Sequence, residues 1–525
     1  MTTQRSAVVV GGGIAGLASA ALLAREGYSV DLLEQRDHLG GRVNSWESAG
    51  FRFDTGPSWY LMPEVFEHFF ALFGSSAAEM LDLTLLDPGY RVFYENHHAP
   101  VDIGSDRRTN VATFDRIEPG AGIRLEQYLD SAADAYDVAI RRFLYSSFDS
   151  LPSMLRWDVV ARSPRLARLL TSSLDSFVAS RFRDQRLRQI LGYPAVFLGT
   201  SPERAPSLYH LMSHLDLEGG VLYPQGGFVR LVEAVADLAR GAGARLHTGA
   251  CVIGVSTRPA GRRGAGAAVA GVRYVDADSA ERELAADAVV GAADMHHMET
   301  GLLPERLQTY PERYWKTRDP GPGMVLACLG VRGALPQLAH HSLFFTQDWN
   351  RNFGDIFGAE PRIPEPASSY VSRPSATDPT VAPVGCESLF VLVPVPADVT
   401  LARGGVDGDG DPAIEKVADA AIDQIATWAS VPDLRSRIVV RRTFGPADFA
   451  DDFNAWSGGA LGPAHTLRQS ALFRTGNVSR KVSGLYYAGA STLPGIGLPM
   501  CLISAELVVK HLRGDRSSMP LEVAG

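Results

Sequence analysis

The chain has 525 residues, 46% of them hydrophobic, enough for more than one domain and for a large core. Fifty Lys and Arg against 59 Asp and Glu leave a net charge of −9, which argues against a general polyanion-binding role. Four scattered cysteines, Cys251, Cys328, Cys386 and Cys501, form no C-x-x-C, so no structural zinc is predicted and a reducing compartment fits.

From the N-terminus, Ala7–Val10 reads as an apolar strand feeding Gly11-Gly12-Gly13-Ile14-Ala15-Gly16, then a helix, then a second apolar run ending in Glu34. Spacing of this kind explains the apolarity of residues 1–24 better than a signal peptide does. In G-x-G-x-x-G, Gly11 turns the chain, Gly13 lets backbone approach a pyrophosphate, and Gly16 lets helix pack on strand. The phosphates then face the unpaired N–H groups of the helix N-terminus, with Ile14 and Ala15 in its first turn. Glu34 suits the ribose hydroxyls. Next comes Gly40-Gly41-Arg42, in which Gly41 allows close passage and Arg42 offers a planar fork to phosphate oxygens; this favours FAD over NAD. Only one G-x-G-x-x-G occurs, so a separate nicotinamide domain is not predicted.

Phe53-Asp54-Thr55-Gly56-Pro57-Ser58 reads as a strand end and turn, with Gly56, Pro57 and Ser58 suited to close approach to a flat ring system. Pro63–Phe73 is a predicted helix, Arg91–Tyr94 a short strand, and residues 122–193 a helical region. Residues 141–188 hold ten Arg, no Lys and four Asp, interleaved with Phe143, Leu144, Tyr145, Phe148, Met154, Leu155 and Trp157. That composition fits an interfacial helix on anionic lipid, or a cap with a solvated basic face. No recognition module for nucleic acid accompanies it.

Gly219–Gly227 is a glycine-rich loop before a helix with Phe228, Leu231, Val232, Val235 and Leu238 at helical spacing. Strands around 250–255 and 271–275 form a predicted hairpin, in which the Val252 backbone can meet an adenine. Ala288–Asp294 reads as a buried strand. Met324–Val331, Leu343–Phe345 and Leu389–Val395 suggest a second sheet, interrupted by a Pro-rich loop over Pro361–Pro383. Asp407-Gly408-Asp409-Gly410-Asp411 lacks the preceding helix and the position-twelve Glu of a calcium loop. Ala413–Ala429 is a predicted helix. The pairs His97-His98, His296-His297 and His340-His341 read as structural or exposed, since strand neighbours face opposite ways. There is no Ser-His-Asp signature and no G-x-S-x-G, so hydrolase chemistry has no support.

The last informative run is a strand and small-residue turn, Leu485-Tyr486-Tyr487-Ala488-Gly489-Ala490, followed by Pro494-Gly495-Ile496-Gly497-Leu498-Pro499-Met500 and a helix that ends near Gly514. Gly489, Ala490, Pro499 and Met500 are cofactor-binding candidates, with the helix N-terminus aimed at the flavin pyrimidine. Lys510, His511 and Arg513 suit the C-terminal end of its dipole. Cys501 is read as a packed helix cysteine rather than a covalent flavin link.

Taken together these motifs, with Tyr223-Pro224-x-Gly226-Gly227 and Ala292-Ala293-Asp294, resemble the bacterial carotenoid desaturases of the phytoene desaturase type, within the amine-oxidase-like flavoproteins. The C-terminal run is the narrowest of them. The resemblance implies an α/β fold: a discontinuous Rossmann-type FAD domain (1–120, 219–300 and 443–525), a substrate domain with a mixed sheet (301–442), and a helical membrane-facing cap (121–218). It further implies a cytoplasmic enzyme docked on the inner face of the cell membrane, which takes phytoene into an apolar tunnel and introduces double bonds towards lycopene. Hydride would pass to flavin N5, and a quinone or oxygen would reoxidise the cofactor. Related enzymes place an acid two residues before a Met/Leu-Arg pair in the helical region. Here the stretch is Ser153-Met154-Leu155-Arg156, so Arg156 matches, the acid does not, and Asp149 is the substitute candidate. Rival readings are a carotenoid cis/trans isomerase, a desaturase of another carotenoid, an amine oxidase, and a non-enzymatic prenyl-binding protein of the GDP-dissociation-inhibitor type; the intact glycine cradle argues against the last.

Overall fold

The computed structural model describes residues 4–148, 168–260 and 266–523. The candidates Asp149 and Arg156, and the Ser153–Arg156 stretch, lie outside them. So does the tip of the predicted hairpin.

Four largely apolar strands and an exposed edge strand, Arg245–His247, build a five-stranded parallel sheet in the order Leu485–Tyr487, Ala288–Gly291, Ser6–Val10, Ser29–Leu33, Arg245–His247. Successive side chains of its central strand point opposite ways. Ala7 and Val9 pack with helices Ile14–Arg25, Val229–Gly241 and Leu498–Arg513, whereas Val8 and Val10 pack with the antiparallel strands Cys251–Pro259 and Ala267–Val275. The layer is thus assembled from the two ends and the middle of the chain.

A seven-stranded sheet has the order Ile438–Phe444, Gly323–Arg332, Cys386–Val395, Ser369–Ser372, His341–Phe345, Tyr90–Tyr94, Val101–Ile103. On one face Val325, Ala327, Leu329, Val391 and Val393 meet helix Pro412–Trp428. Met324, Leu326, Phe390 and Leu392 alternate with them and line a cavity on the other face. Two expectations change here. Tyr90–Tyr94 and Val101–Ile103, grouped by sequence with the cofactor segments, belong to this sheet, because Arg91–Tyr94 pairs in parallel with Ser342–Phe345. Within the predicted Pro-rich loop, Ser369–Ser372 is an interior strand, paired on both sides between Pro366 and Pro374.

The helical region opens with Ala121–Ala139 and continues through a wide turn at Ile140–Leu144. Its basic residues are partly neutralised: Arg141 pairs with Asp137 (2.6 Å), Arg186 with Asp184 (2.9 Å) and Arg188 with Asp175 (3.3 Å). The last helix, Leu498–Arg513, ends at Gly514 in the left-handed region. Its Lys510 does not sit on the surface at the dipole. The side chain is buried, and Nζ donates to the carbonyls of Tyr145, Ser517 and Met519. Among the described residues no helix is long and apolar enough to cross a membrane, and no group of three His, Cys, Asp or Glu is placed to hold a metal ion.

Candidate functional site

A cavity of about 670 Å³ runs along the seam between the two sheets. One end is made by the glycine turns. Of the cofactor-binding candidates, Gly11, Gly13, Ile14, Ala15, Glu34, Gly41, Arg42, Gly56, Pro57, Ser58, Val252, Gly489, Ala490, Pro499 and Met500 all line it. Gly16 does not: a Cβ there would lie 1.9 Å from the Gly11 carbonyl oxygen, so its place is the contact of helix with strand.

The turns are tied together locally. Gly11 has φ +102°, and a Cβ there would come within 3.0 Å of the Ala293 nitrogen. Gly40 N–H donates to Gly12 O (2.9 Å), which sets Gly41 against Gly13 at the cavity floor. Glu34 is buried and accepts Gly12 N–H (2.6 Å) and Arg36 N–H (2.9 Å). Arg42 lies 3.7 Å from the Asp294 carboxylate and 3.4 Å from Gly459 O, while its Nε is buried without a partner. An orphaned guanidinium N–H, uncapped helix N–H groups after Gly13 and a glycine floor fit the diphosphate of FAD. The N-terminus of Leu498–Arg513 opens into the same space. Cys501 also lines it, and burial raises its thiol to about 11, which suits a packed thiol rather than a nucleophile.

Beyond Ser58 the wall becomes apolar, with Leu61, Phe197, Leu215, Leu326, Phe345 and Leu392 among its residues. Few polar groups interrupt it. Ser58 Oγ is 2.6 Å from Tyr370 Oη, which is 2.8 Å from Nδ1 of buried His341. Trp59 stacks on the His341 ring, centroids 4.8 Å apart. Burial and neighbouring His340 hold His341 well below the usual imidazole range, so the ring is neutral. Further along, Tyr209 Oη is 2.7 Å from His465 Nδ1, and Ile496 N–H donates to His465 Nε2 at 3.2 Å. Behind this pair lies Arg474, buried, with donors on the carbonyls of Pro463, Gln469, Ala490 and Thr492; burial lowers its guanidinium to about 10. On helix Trp349–Phe357, Trp349 Nε1 and Asn352 Nδ2 are buried on the wall without a protein partner. None of Tyr370, His341, His465 and Arg474 carries a local sequence signal, since each is defined by a partner distant in the chain.

A nucleotide cradle opening into an apolar channel defines a flavoprotein acting on a hydrophobic molecule. The family model of flavin-containing amine oxidoreductases matches residues 14–512, and the chain belongs to that family. Within it the chain groups with carotenoid desaturases. It is 40% identical to a carotenoid 3,4-desaturase of Haloarcula japonica, over 97% of this chain and 98% of the relative. It is 35% identical to a zeta-carotene-forming phytoene desaturase of Myxococcus xanthus, over 97% and 94%. Solved structures share the fold at lower identity. An oxidoreductase from Methanosarcina mazei superposes with TM-score 0.59 at 17% identity, covering 96% of this chain and all of that one. Putrescine oxidase with bound putrescine gives 0.59 at 14%, covering 97% and 99%.

Proposed function

We propose that the chain is an FAD-dependent carotenoid desaturase that introduces double bonds into phytoene towards lycopene. The observation that carries this reading is the continuity of one cavity from the glycine cradle into an apolar channel. FAD bound in the cradle supplies the two-electron oxidant that takes a hydride from an allylic carbon. The chain's own residues orient and desolvate: a hydrocarbon offers nothing to hydrogen-bond, so the channel selects by shape and apolar burial, at about 0.8 kcal/mol per CH₂.

We read the cofactor domain as residues 1–120, 219–300 and 443–525 apart from the strands at 90–103 and the end of strand Ile438–Phe444, which belong to the larger sheet, and the remainder as a substrate domain with a helical cap. We also place the enzyme on a membrane surface in the cytoplasm, with a quinone or oxygen as electron acceptor. Support for the membrane comes from the channel's mouth. Among the described wall residues those that are exposed are Leu170, Ala471, Leu472 and Gly497, and the apolar run of Ala471 and Leu472 continues into Phe473, which is 61% exposed. A substrate that partitions into lipid would enter there.

A second reading, desaturation of an already modified carotenoid, is favoured by the unpartnered donors Trp349 Nε1 and Asn352 Nδ2, which suit an oxygen on the substrate. Expression in a bacterium that accumulates phytoene tests both. Red lycopene is the outcome expected of the first reading. Unchanged phytoene beside a flavin-loaded protein overturns it, and conversion of an oxygenated carotenoid supplied to the purified flavin-loaded enzyme then supports the second.

A further inference from the structure

Desaturation removes two hydrogens, and only one leaves as hydride. The other leaves as a proton, and its C–H electron pair becomes the new π bond. On the described apolar wall two imidazoles stand behind tyrosines, at His465 and His341.

Tautomers separate them. The Ile496 N–H can meet His465 Nε2 only at a lone pair, so the neutral ring carries its proton on Nδ1 and donates it to Tyr209. Both nitrogens are engaged, and no lone pair remains for an incoming proton. His341 differs, because its Nε2 is buried without a partner. The ring can keep its proton on Nε2 and accept at Nδ1 from Tyr370, which in turn accepts from Ser58.

Position favours the same chain. A Cβ at Gly56 would lie 2.0 Å from Arg42 O, so residues 56–58 pack directly on the Gly-Gly-Arg turn. Tyr370 belongs to strand Ser369–Ser372 of the larger sheet. The Ser58–Tyr370 hydrogen bond is therefore where the cofactor end meets the channel. Tyr193 also sits against Trp59, Phe197 and Phe345, but its hydroxyl already donates to the Asp216 carboxylate (2.6 Å), so it is engaged outside this chain of donors.

We propose that Ser58, Tyr370 and His341 form the relay that accepts the carbon proton. The inference rests on the desaturase reading. Ser58 Oγ takes the proton from carbon and gives its own to Tyr370 Oη, which gives its own to His341 Nδ1. One imidazolium results. The apolar surroundings disfavour that charge, so once product leaves the proton returns along the chain to water in the open channel.

Tyr370→Phe removes only the middle hydroxyl. In the FAD-loaded enzyme it is expected to lower kcat for desaturation about 100-fold, with KM and flavin content unchanged. Ser58→Ala is expected to give the same loss. A second measurement needs no turnover: in protein labelled with ¹⁵N-histidine, and with His341→Gln for assignment, His341 is expected neutral with its proton on Nε2. A proton on Nδ1, or wild-type kcat in Tyr370→Phe, overturns the relay. If the wild-type enzyme holds FAD and desaturates no carotenoid, the functional reading falls and the relay's role with it; failure of the relay alone leaves wild-type turnover intact.

Discussion

The carboxylate of Glu34 accepts the amide of Gly12 at 2.6 Å, tying the end of the second strand to the turn that opens the first helix. Two segments 22 residues apart are thereby held as one surface, with the Gly40–Gly41 turn as its floor. Its geometry bears directly on what a side chain would do there.

Gly13 is extended (φ −74°, ψ 177°), and a Cβ at this position has Gly40 O, 3.8 Å away, as its nearest neighbour. Gly13→Val is therefore expected to fold, with its side chain in the space that the diphosphate needs at the helix N-terminus. Purified variant should show native-like circular dichroism and no flavin absorbance after reconstitution. Full flavin content would contradict the placement of the cofactor. Gly16→Val is expected to fail earlier, at folding, since its Cβ would meet Gly11 O at 1.9 Å.

Asp216 is buried and accepts the hydroxyls of Tyr193 and Tyr90, yet its Oδ1 has no partner, and burial raises its carboxyl to about 7 from the ordinary 3.8. A raised acid keeps its proton in the folded state after the unfolded chain has lost it. Between about pH 4 and pH 7 the unfolded state binds fewer protons, so stability falls as pH rises across that window and levels off above it. Asp216→Asn cannot titrate and can still accept from a tyrosine. Denaturant midpoints measured from pH 5 to 8 should be flatter in the variant, with a gain on the order of 1–3 kcal/mol over wild type at pH 8. Parallel curves would show that Asp216 does not titrate in this range.

Leu472 and Phe473 are 50% and 61% exposed at the channel mouth, on a segment whose base Arg474 pins to four carbonyls. Burying each such side chain in lipid is worth about 1.5–3 kcal/mol. The double variant Leu472→Asp, Phe473→Asp is expected to lower partitioning onto phosphatidylcholine–phosphatidylglycerol vesicles by at least about tenfold in flotation assays. Flavin content should be unchanged. Val384→Asp, a control at an exposed apolar position off the cavity wall and outside the helical cap, should float as wild type. Equal flotation of all three would remove this segment from the membrane reading.

Much of the cofactor end was legible in the sequence, for a physical reason. A tight turn, a close backbone approach and a helix start each impose their demands within a few residues, so Gly11 to Gly16, Gly40 to Arg42 and Gly489 to Met500 declare themselves by spacing. The apolar strands of both sheets were readable through their runs and alternation. The short strands Arg245–His247, Val101–Ile103 and Ser369–Ser372 were not, because so few residues cannot establish a period, and neither was Ile438–Phe444, whose arginines break the apolar run; the identity of all four rests on partners elsewhere.

What the tertiary structure alone decided is the chemistry of the channel wall. Ser58 finds Tyr370 across 312 positions, Tyr209 finds His465 across 256, and Tyr193, packed against Trp59, meets Asp216 23 positions on. No local pattern encodes such pairs. They follow from packing two sheets against one cavity, where each buried polar group must find whichever donor or acceptor the opposite wall presents.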